Sequence, residues 1–398
     1  MSHRVFVSGY GIVSALGFGA EANLNALKQQ VTGIAPPQFL KTKHCTLPVG
    51  EVKASNESLA EMAGVSDKKP VSRTVLLGLI AAREAVEKAG LDEGQLRTSG
   101  LISGTTVGGM DISEHAYQSL QKGERVDYTK SFSGHDCGHS TQAIATGLRL
   151  SGALSTISTA CSSSANTIMQ AARLIKAGQV ERVIAGGTDA LSLFTLNGFN
   201  SLKILDAELC KPFDEHRQGL NLGEGAAYLV LESEAALNAR GGVAYAEVTG
   251  YGNANDAYHQ TASSPEGKGA FLAIKKAFEI AGKTDLTIDY VNAHGTGTAN
   301  NDLSESNALK MIFNDQVPAL SSTKSYTGHT LGAAGAVEAV FSVLAILGQH
   351  VYGNYNLSLP MSDGLEPERN FRSIKIDHVL SNSFGFGGNC SSLIFSKV

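Results

Sequence analysis

Apolar positions along this chain alternate between short β-like runs and longer stretches with helical spacing. Strands are predicted at Arg4 to Ser8, Thr98 to Ser103, Leu154 to Ile157, Arg182 to Ala185, Ala226 to Leu231, Ala244 to Thr249, Tyr290 to Ala293 and Ser392 to Phe395. Helices are predicted at Arg73 to Ala89, Ala165 to Ala177, Gly269 to Ala281, Leu303 to Ile312 and Gly335 to Leu347. In the second of these, Ile168, Ala171, Ala172 and Ile175 recur on one face. Such alternation predicts an α/β layered fold. Leu331 to Leu347 is the most apolar long stretch, yet it carries Glu338 and many small residues. It falls short of the roughly 20 residues a bilayer span needs, so a buried helix is expected there and no membrane association. Glycines interrupt the apolar run that begins at Val5, and the chain then enters a helical pattern near Ala20 to Leu27, which argues against a secretory leader.

The pattern also repeats. Val7-Ser8-Gly9-Tyr10-Gly11 is echoed by Val248-Thr249-Gly250-Tyr251-Gly252, and Leu101 to Thr106 is echoed more loosely by Val291 to Thr296. Their common order predicts a duplicated unit joined near Glu232 to Gly242, with halves at 1–236 and 237–398. If the halves pack back to back, residues from both would meet at the centre.

Length and composition narrow the function classes. At 398 residues, two domains or one large two-part domain are expected. The 44 glycines against 9 prolines, mostly at the ends of apolar runs, predict tight turns between strands and helices. With 32 basic and 37 acidic residues, a formal charge of −5 and a pI near 6.1, nothing marks a nucleic-acid partner. Five cysteines at irregular positions suggest neither a disulfide framework nor a metal-type CxxC site, which suits a reducing cytoplasm.

Cys161 is the first candidate for chemistry. It follows Leu154 to Ile157, which reads as a short buried strand, and precedes a helical run, in Ser158-Thr159-Ala160-Cys161-Ser162-Ser163-Ser164. At a helix N-terminus, unpaired N–H groups and the helix dipole favour the reactive thiolate. The same position suits a buried structural cysteine. Two histidines in loops of small residues weigh toward chemistry: His294 in Val291-Asn292-Ala293-His294-Gly295-Thr296-Gly297-Thr298, and His329 in Ser322-Thr323-Lys324-Ser325-Tyr326-Thr327-Gly328-His329.

Together with Lys211-Pro212-Phe213-Asp214, Gly223-Glu224-Gly225-Ala226 and Asn382-Ser383-Phe384-Gly385-Phe386-Gly387-Gly388-Asn389, these motifs span nearly the whole chain. In this order and spacing the chain resembles the elongating β-ketoacyl-acyl carrier protein synthases, the condensing enzymes of fatty acid and type II polyketide synthesis. The resemblance implies an α/β thiolase-like fold, a duplicated unit in a five-layered αβαβα sandwich, usually as a homodimer. It implies an acyltransferase that performs decarboxylative Claisen condensation of an acyl chain on Cys161 with malonyl-acyl carrier protein. Acyl carrier protein would be the partner, with acyl and malonyl thioesters as substrates. No separate cofactor or metal is implied, since substrates travel on the carrier's phosphopantetheine arm.

By the same resemblance His294 and His329 would stabilise the enolate, and Lys324 with Glu338 would orient them. Backbone N–H groups of Cys161 and Phe386 would form an oxyanion hole, with Phe386 also gating the acyl pocket. Thr296 and Thr298 would bind the pantetheine arm, while Phe384 and Val107 would contact substrate. Lys69, Arg73, Lys203 and Lys211 are candidate contacts for the acidic carrier. A primer-type synthase is expected to have asparagine where His329 stands. A cysteine hydrolase needs neither a second histidine nor the Lys324 motif, and a non-catalytic chain-length subunit lacks the cysteine.

One stretch departs from the family pattern. Phe132-Ser133-Gly134-His135-Asp136-Cys137-Gly138-His139-Ser140 is polar where elongating synthases carry a more apolar, proline-containing segment. It suits a hydrogen-bonded interface loop better than a metal site, since consecutive loop residues rarely give good ligand geometry. It also keeps a specialised polyketide or polyene pathway open, in which this chain would be the catalytic half of a heterodimer with a chain-length-setting subunit.

Overall fold

The structure is a computed structural model that describes residues 4–65, 71–282, 286–314 and 316–398. Ten strands form one continuous path. The first half supplies β1 (Val5–Ser14), β2 (Gly100–Gly104), β3 (Leu154–Ile157), β4 (Arg182–Asp189) and β5 (Gly225–Ser233). The second supplies β6 (Ala246–Asn255), β7 (Tyr290–Asn292), β8 (Ala319–Ser321), β9 (His378–Phe384) and β10 (Asn389–Ser396). Their spatial order is β3-β2-β4-β5-β1-β6-β10-β9-β7-β8. Within each half the inner pairs are antiparallel and the outer ones parallel, so β6 to β10 mirror β1 to β5. The halves join where Phe6 and Val7 pair with Glu247 and Ala246.

Strand periodicity places side chains on both faces, and both faces are covered. In β5, Ala227, Leu229 and Leu231 point to the centre of the molecule, while Ala226, Tyr228 and Val230 meet the outer helices α1 (Arg73–Ala89) and α2 (Cys137–Gly147). The central layer holds α3 (Ser163–Lys176) and α6 (Ala334–Gly348) between the two halves of the sheet. On the far side, α4 (Lys268–Ala281) and α5 (Ala299–Phe313) cover Val291, Leu380 and Ile394. These are the five layers of a thiolase-like fold. The apolar helix expected to be buried is buried: 89% of Leu331–Gly348 is enclosed, with strands on both sides.

Three expectations need correction. The Gly-Tyr-Gly motifs are strand interiors, so β1 runs on to Ser14 and β6 to Asn255. Glycine is needed there for close approach: a Cβ on Gly9 or Gly11 would lie 2.2 or 2.1 Å from the carbonyls of Ala85 and Ala81 on α1. Gly250 and Gly252 meet Ala277 and Ala273 of α4 in the same way, at 2.4 and 2.0 Å. The repeated motif is thus a repeated helix-on-strand crossing. Leu154 to Ile157, expected to be a buried strand, is the edge strand β3, with Leu154 38% exposed. Arg73, expected on the surface, is buried; its guanidinium donates to Glu224 at 2.7–3.0 Å and to the carbonyls of Val52 and Ala54.

Candidate active site

The nucleophile candidate sits on a turn held by its own neighbours. Ala160 adopts φ +52, a left-handed conformation that costs a non-glycine residue about 1 kcal/mol or more. Ser163 Oγ accepts from the Thr159 N–H at 2.9 Å, and Ser162 Oγ donates to the Thr159 carbonyl at 2.7 Å. Ser164 Oγ accepts from the Ala336 N–H at the start of α6, tying the two central helices together. The serine run thus satisfies backbone groups around Cys161 rather than supplying nucleophiles. Asn389 Oδ1 accepts from the side-chain amides of Asn166 and Asn253, each at 2.9 Å.

Cys161 lies just ahead of α3 and is 6% exposed. Its position at the helix N-terminus predicts a lowered thiol pKa. Instead burial pushes it up to about 11, against the charge of Lys324 and hydrogen bonding from the Phe386 N–H. Desolvating a thiolate outweighs the helix terminus here. The free site therefore holds a thiol at neutral pH.

His294 and His329 line one cavity of about 250 Å³ with Cys161, their rings 5.4 Å apart and nearly perpendicular. The Leu331 N–H donates to His329 Nδ1 at 3.2 Å. A backbone amide only donates, so Nδ1 must accept and Nε2 carries the hydrogen. Lys324 Nζ contacts His294 Nδ1 at 3.2 Å, the His294 carbonyl at 2.6 Å and a Glu338 carboxylate oxygen. Three acceptors thus meet the three N–H bonds of the ammonium, which assigns the hydrogen of His294 to Nε2 as well. Burial, with the charge of Lys324 added, holds both histidines well below their usual range, so both are neutral N–H donors. Burial also raises Glu338 to about 6, against the pull of Lys324.

Two acidic residues that motif spacing did not single out complete the frame. Glu305 on α5 accepts from the N–H groups of His294 and Gly295, each at 2.9 Å, and from Asn382. Asp302, one turn earlier, accepts from the N–H groups of Thr296 and Phe213. Their i, i+3 spacing just after Gly295-Thr296-Gly297-Thr298 was the available signal.

Thr296, Thr298, Phe384 and Phe386 line the same cavity, with the Thr296 and Thr298 hydroxyls 2.9 Å apart. Phe386 stacks on Phe199 at 5.6 Å. Gly385 passes so close to the turn that a Cβ would lie 2.8 Å from the Thr159 carbonyl, and Gly387 has φ +81. Val107 is not in the cavity lining; it packs behind it with Leu191, Leu220, Leu222 and Leu331. Lys203 is exposed beside the cavity residue Ile204, and Lys211 is half-buried. Arg73 is committed to Glu224, and Lys69 lies outside the described residues. In the polar stretch, Asp136 caps α2 through the Gly138 N–H and His135 bonds Ser113.

Residues 2–236 match the family model of the beta-ketoacyl synthase N-terminal domain, and residues 245–358 that of its C-terminal domain. The chain is 33% identical to a "3-oxoacyl-[acyl-carrier-protein] synthase 2" of Staphylococcus aureus (strain COL), over 99% of this chain and 98% of that one. Among solved structures it resembles "The ishigamide ketosynthase/chain length factor", with 30% identity, a TM-score of 0.94 and full coverage of both chains. It also resembles a chain of "AntDE:AntF (apo): type II PKS acyl-carrier protein in complex with its ketosynthase bound to the hexaketide", with 27% identity, a TM-score of 0.90 and full coverage of both chains.

Proposed function

The chain belongs to the β-ketoacyl synthase family, and we propose that it elongates acyl chains by decarboxylative Claisen condensation, as a 3-oxoacyl-acyl carrier protein synthase. The observation that carries this reading is one cavity holding a buried thiol and two neutral imidazoles, each with its single N–H on Nε2. Both substrates arrive on the phosphopantetheine arm of acyl carrier protein, and no resident cofactor takes part. Thr296 and Thr298 bind that arm. Lys203 and Lys211 face the acidic carrier outside.

In the first half-reaction Cys161 sulfur attacks the acyl thioester carbonyl. A new C–S bond forms, the pantetheine C–S bond breaks, and the thiol proton ends on the departing pantetheine sulfur. The N–H groups of Cys161 and Phe386 hold the transient oxyanion. Malonyl-carrier then loses carbon dioxide, and the electron pair of the broken C–C bond enters an enolate whose oxygen takes the two Nε2–H bonds. The enolate carbon attacks acyl-Cys161: a C–C bond forms, the acyl C–S bond breaks, and Cys161 leaves as a thiolate that takes a proton from water to restore the thiol. Lys324 and Glu338 hold His294 in its donor tautomer, and Phe386 gates the acyl pocket. Incubation with a panel of acyl-carrier proteins should add one acyl mass at Cys161, with carbon dioxide released from malonyl-carrier. A Cys161 that no donor acylates would overturn the reading.

A second reading is favoured by the likeness to ketosynthase/chain length factor assemblies and by the polar loop around His135. Here the chain is the catalytic half of a specialised polyketide or polyene synthase. The edge strand β3 and the exposed Tyr117, Tyr128 and Phe194 offer a surface for either a second copy or such a subunit. The homodimer belongs to the first reading; the cytoplasmic setting and the division at 236/237 are common to both. Size measurement of the chain alone and with a candidate partner subunit separates the two: a stable homodimer supports the first, a heterodimer the second.

A further inference from the structure

Asp189 ends β4 at 0% exposure, and no cation pairs with it among the described residues. Its carboxylate is instead filled by N–H and O–H donors from two loops. One oxygen accepts from Thr105 Oγ1 at 2.5 Å and the N–H groups of Thr106 and Val107 at 3.0 and 3.1 Å. The other accepts from Thr106 Oγ1 at 2.6 Å and the Gly332 N–H at 2.7 Å. Only glycine allows that approach, since a Cβ on residue 332 would lie 2.8 Å from this oxygen.

Gly332 follows Leu331, which is held at φ +52 and 4% exposed. Such a conformation persists only where the surroundings over-determine it. The Leu331 N–H is the group that donates to His329 Nδ1. The His329 backbone is fixed separately, by pairing with Asn221 and Gly223 at 2.8 and 2.9 Å. The ring's hydrogen position therefore depends on the Leu331 turn, and the turn depends on its next residue's anchor.

We propose that Asp189 is a positioning residue for His329: by holding the Gly332 N–H it keeps the Leu331 N–H on Nδ1, and so keeps the hydrogen of His329 on Nε2. The proposal rests on the reading of His329 as an enolate donor. It explains why an acceptor-only side chain stands here. An asparagine would present its NH2 to one of the two sets of donors, donor against donor, and the turn would be released. Leu331 would relax from the left-handed region, and the imidazole would be free to carry its hydrogen on Nδ1, with a lone pair facing the enolate.

The test is a double-mutant cycle on decarboxylation of malonyl-carrier, with Cys161 acylation measured in parallel. Asp189→Asn should slow decarboxylation about tenfold or more, with acylation changed less than about threefold. In a His329→Ala background it should change decarboxylation less than about twofold. Imidazole nitrogen NMR should show the His329 Nε2–H tautomer in the unsubstituted protein and a mixture in Asp189→Asn. Should the asparagine variant not fold, Thr105→Val weakens the grip on the carboxylate while keeping its charge. It should slow decarboxylation about threefold, again only when His329 is present. Wild-type decarboxylation in Asp189→Asn, or an equal fold-loss with and without His329, overturns the proposal. If His329→Ala itself decarboxylates at the wild-type rate, the enolate reading falls first and takes the proposal with it.

Discussion

His294→Ala isolates the enolate half of the reaction from the acyl-transfer half. The ring contributes one N–H to the cavity, on Nε2, because Lys324 occupies Nδ1. Losing one donor aimed at a developing oxyanion costs about 2.7–4 kcal/mol, and about 1.4 kcal/mol per decade makes that a fall of roughly 100- to 1,000-fold in decarboxylation. In the proposed mechanism acylation of Cys161 draws on the backbone N–H groups of Cys161 and Phe386, so it should stay within about threefold. The fold should survive, because Lys324 keeps the residue 294 carbonyl and Glu338 as acceptors. Carbon dioxide release from malonyl-carrier and intact-mass kinetics of acylation measure the two halves separately. His294→Asn restores an N–H donor in part and should recover part of the lost rate. Equal losses in both halves, or an unchanged rate of carbon dioxide release, would refute the assignment.

Other outcomes follow from burial. Arg73→Met leaves Glu224 buried without its cation, a loss of about 3–5 kcal/mol. At about 2.1 cal/mol/K per residue the melting temperature should drop by roughly 5 °C, while KM for the carrier stays within about twofold; an unchanged melting point with a raised KM would restore a surface role. Alkylation of Cys161 should keep accelerating as pH rises past 9, because its thiol is pushed up to about 11. A rate plateau near pH 7 would contradict that. Both active-site histidines are held below their unfolded value of about 6.5, so the unfolded chain binds more protons as pH falls past that value. Their contribution to stability is complete above about pH 6.5 and should decline below it in denaturant titrations, less so in a His294→Ala/His329→Ala double variant.

The local pattern was enough to locate eight of the ten strands of the sheet path and the helices α1, α3, α4, α5 and α6, though not α2, β8 or β9, and to single out Cys161, His294 and His329, because periodicity and glycine-rich loops are properties of neighbouring residues; Lys324 came from the family resemblance. It failed where a residue answers to a distant one. The glycines of β1 and β6 look like turn residues until the carbonyls of α1 and α4 press against them. Arg73 looks like a surface charge until Glu224, 151 positions away, is found beneath it. Glu305 and Asp302 carry no motif that names the loops they brace.

The sequence by itself determined the residue types of the site, the duplicated α/β plan and the family to which they point. Only the tertiary structure decided the chemical state of those residues. A pre-helix cysteine is predisposed to ionise, yet packing α3 between two halves of a sheet removes the water a thiolate needs and leaves a thiol. Which nitrogen of each histidine carries its hydrogen is likewise settled by Lys324 and the Leu331 N–H. The physical reason is common to both: ionisation and tautomer energies are summed over every group packed around the atom, and chain folding alone brings those groups together.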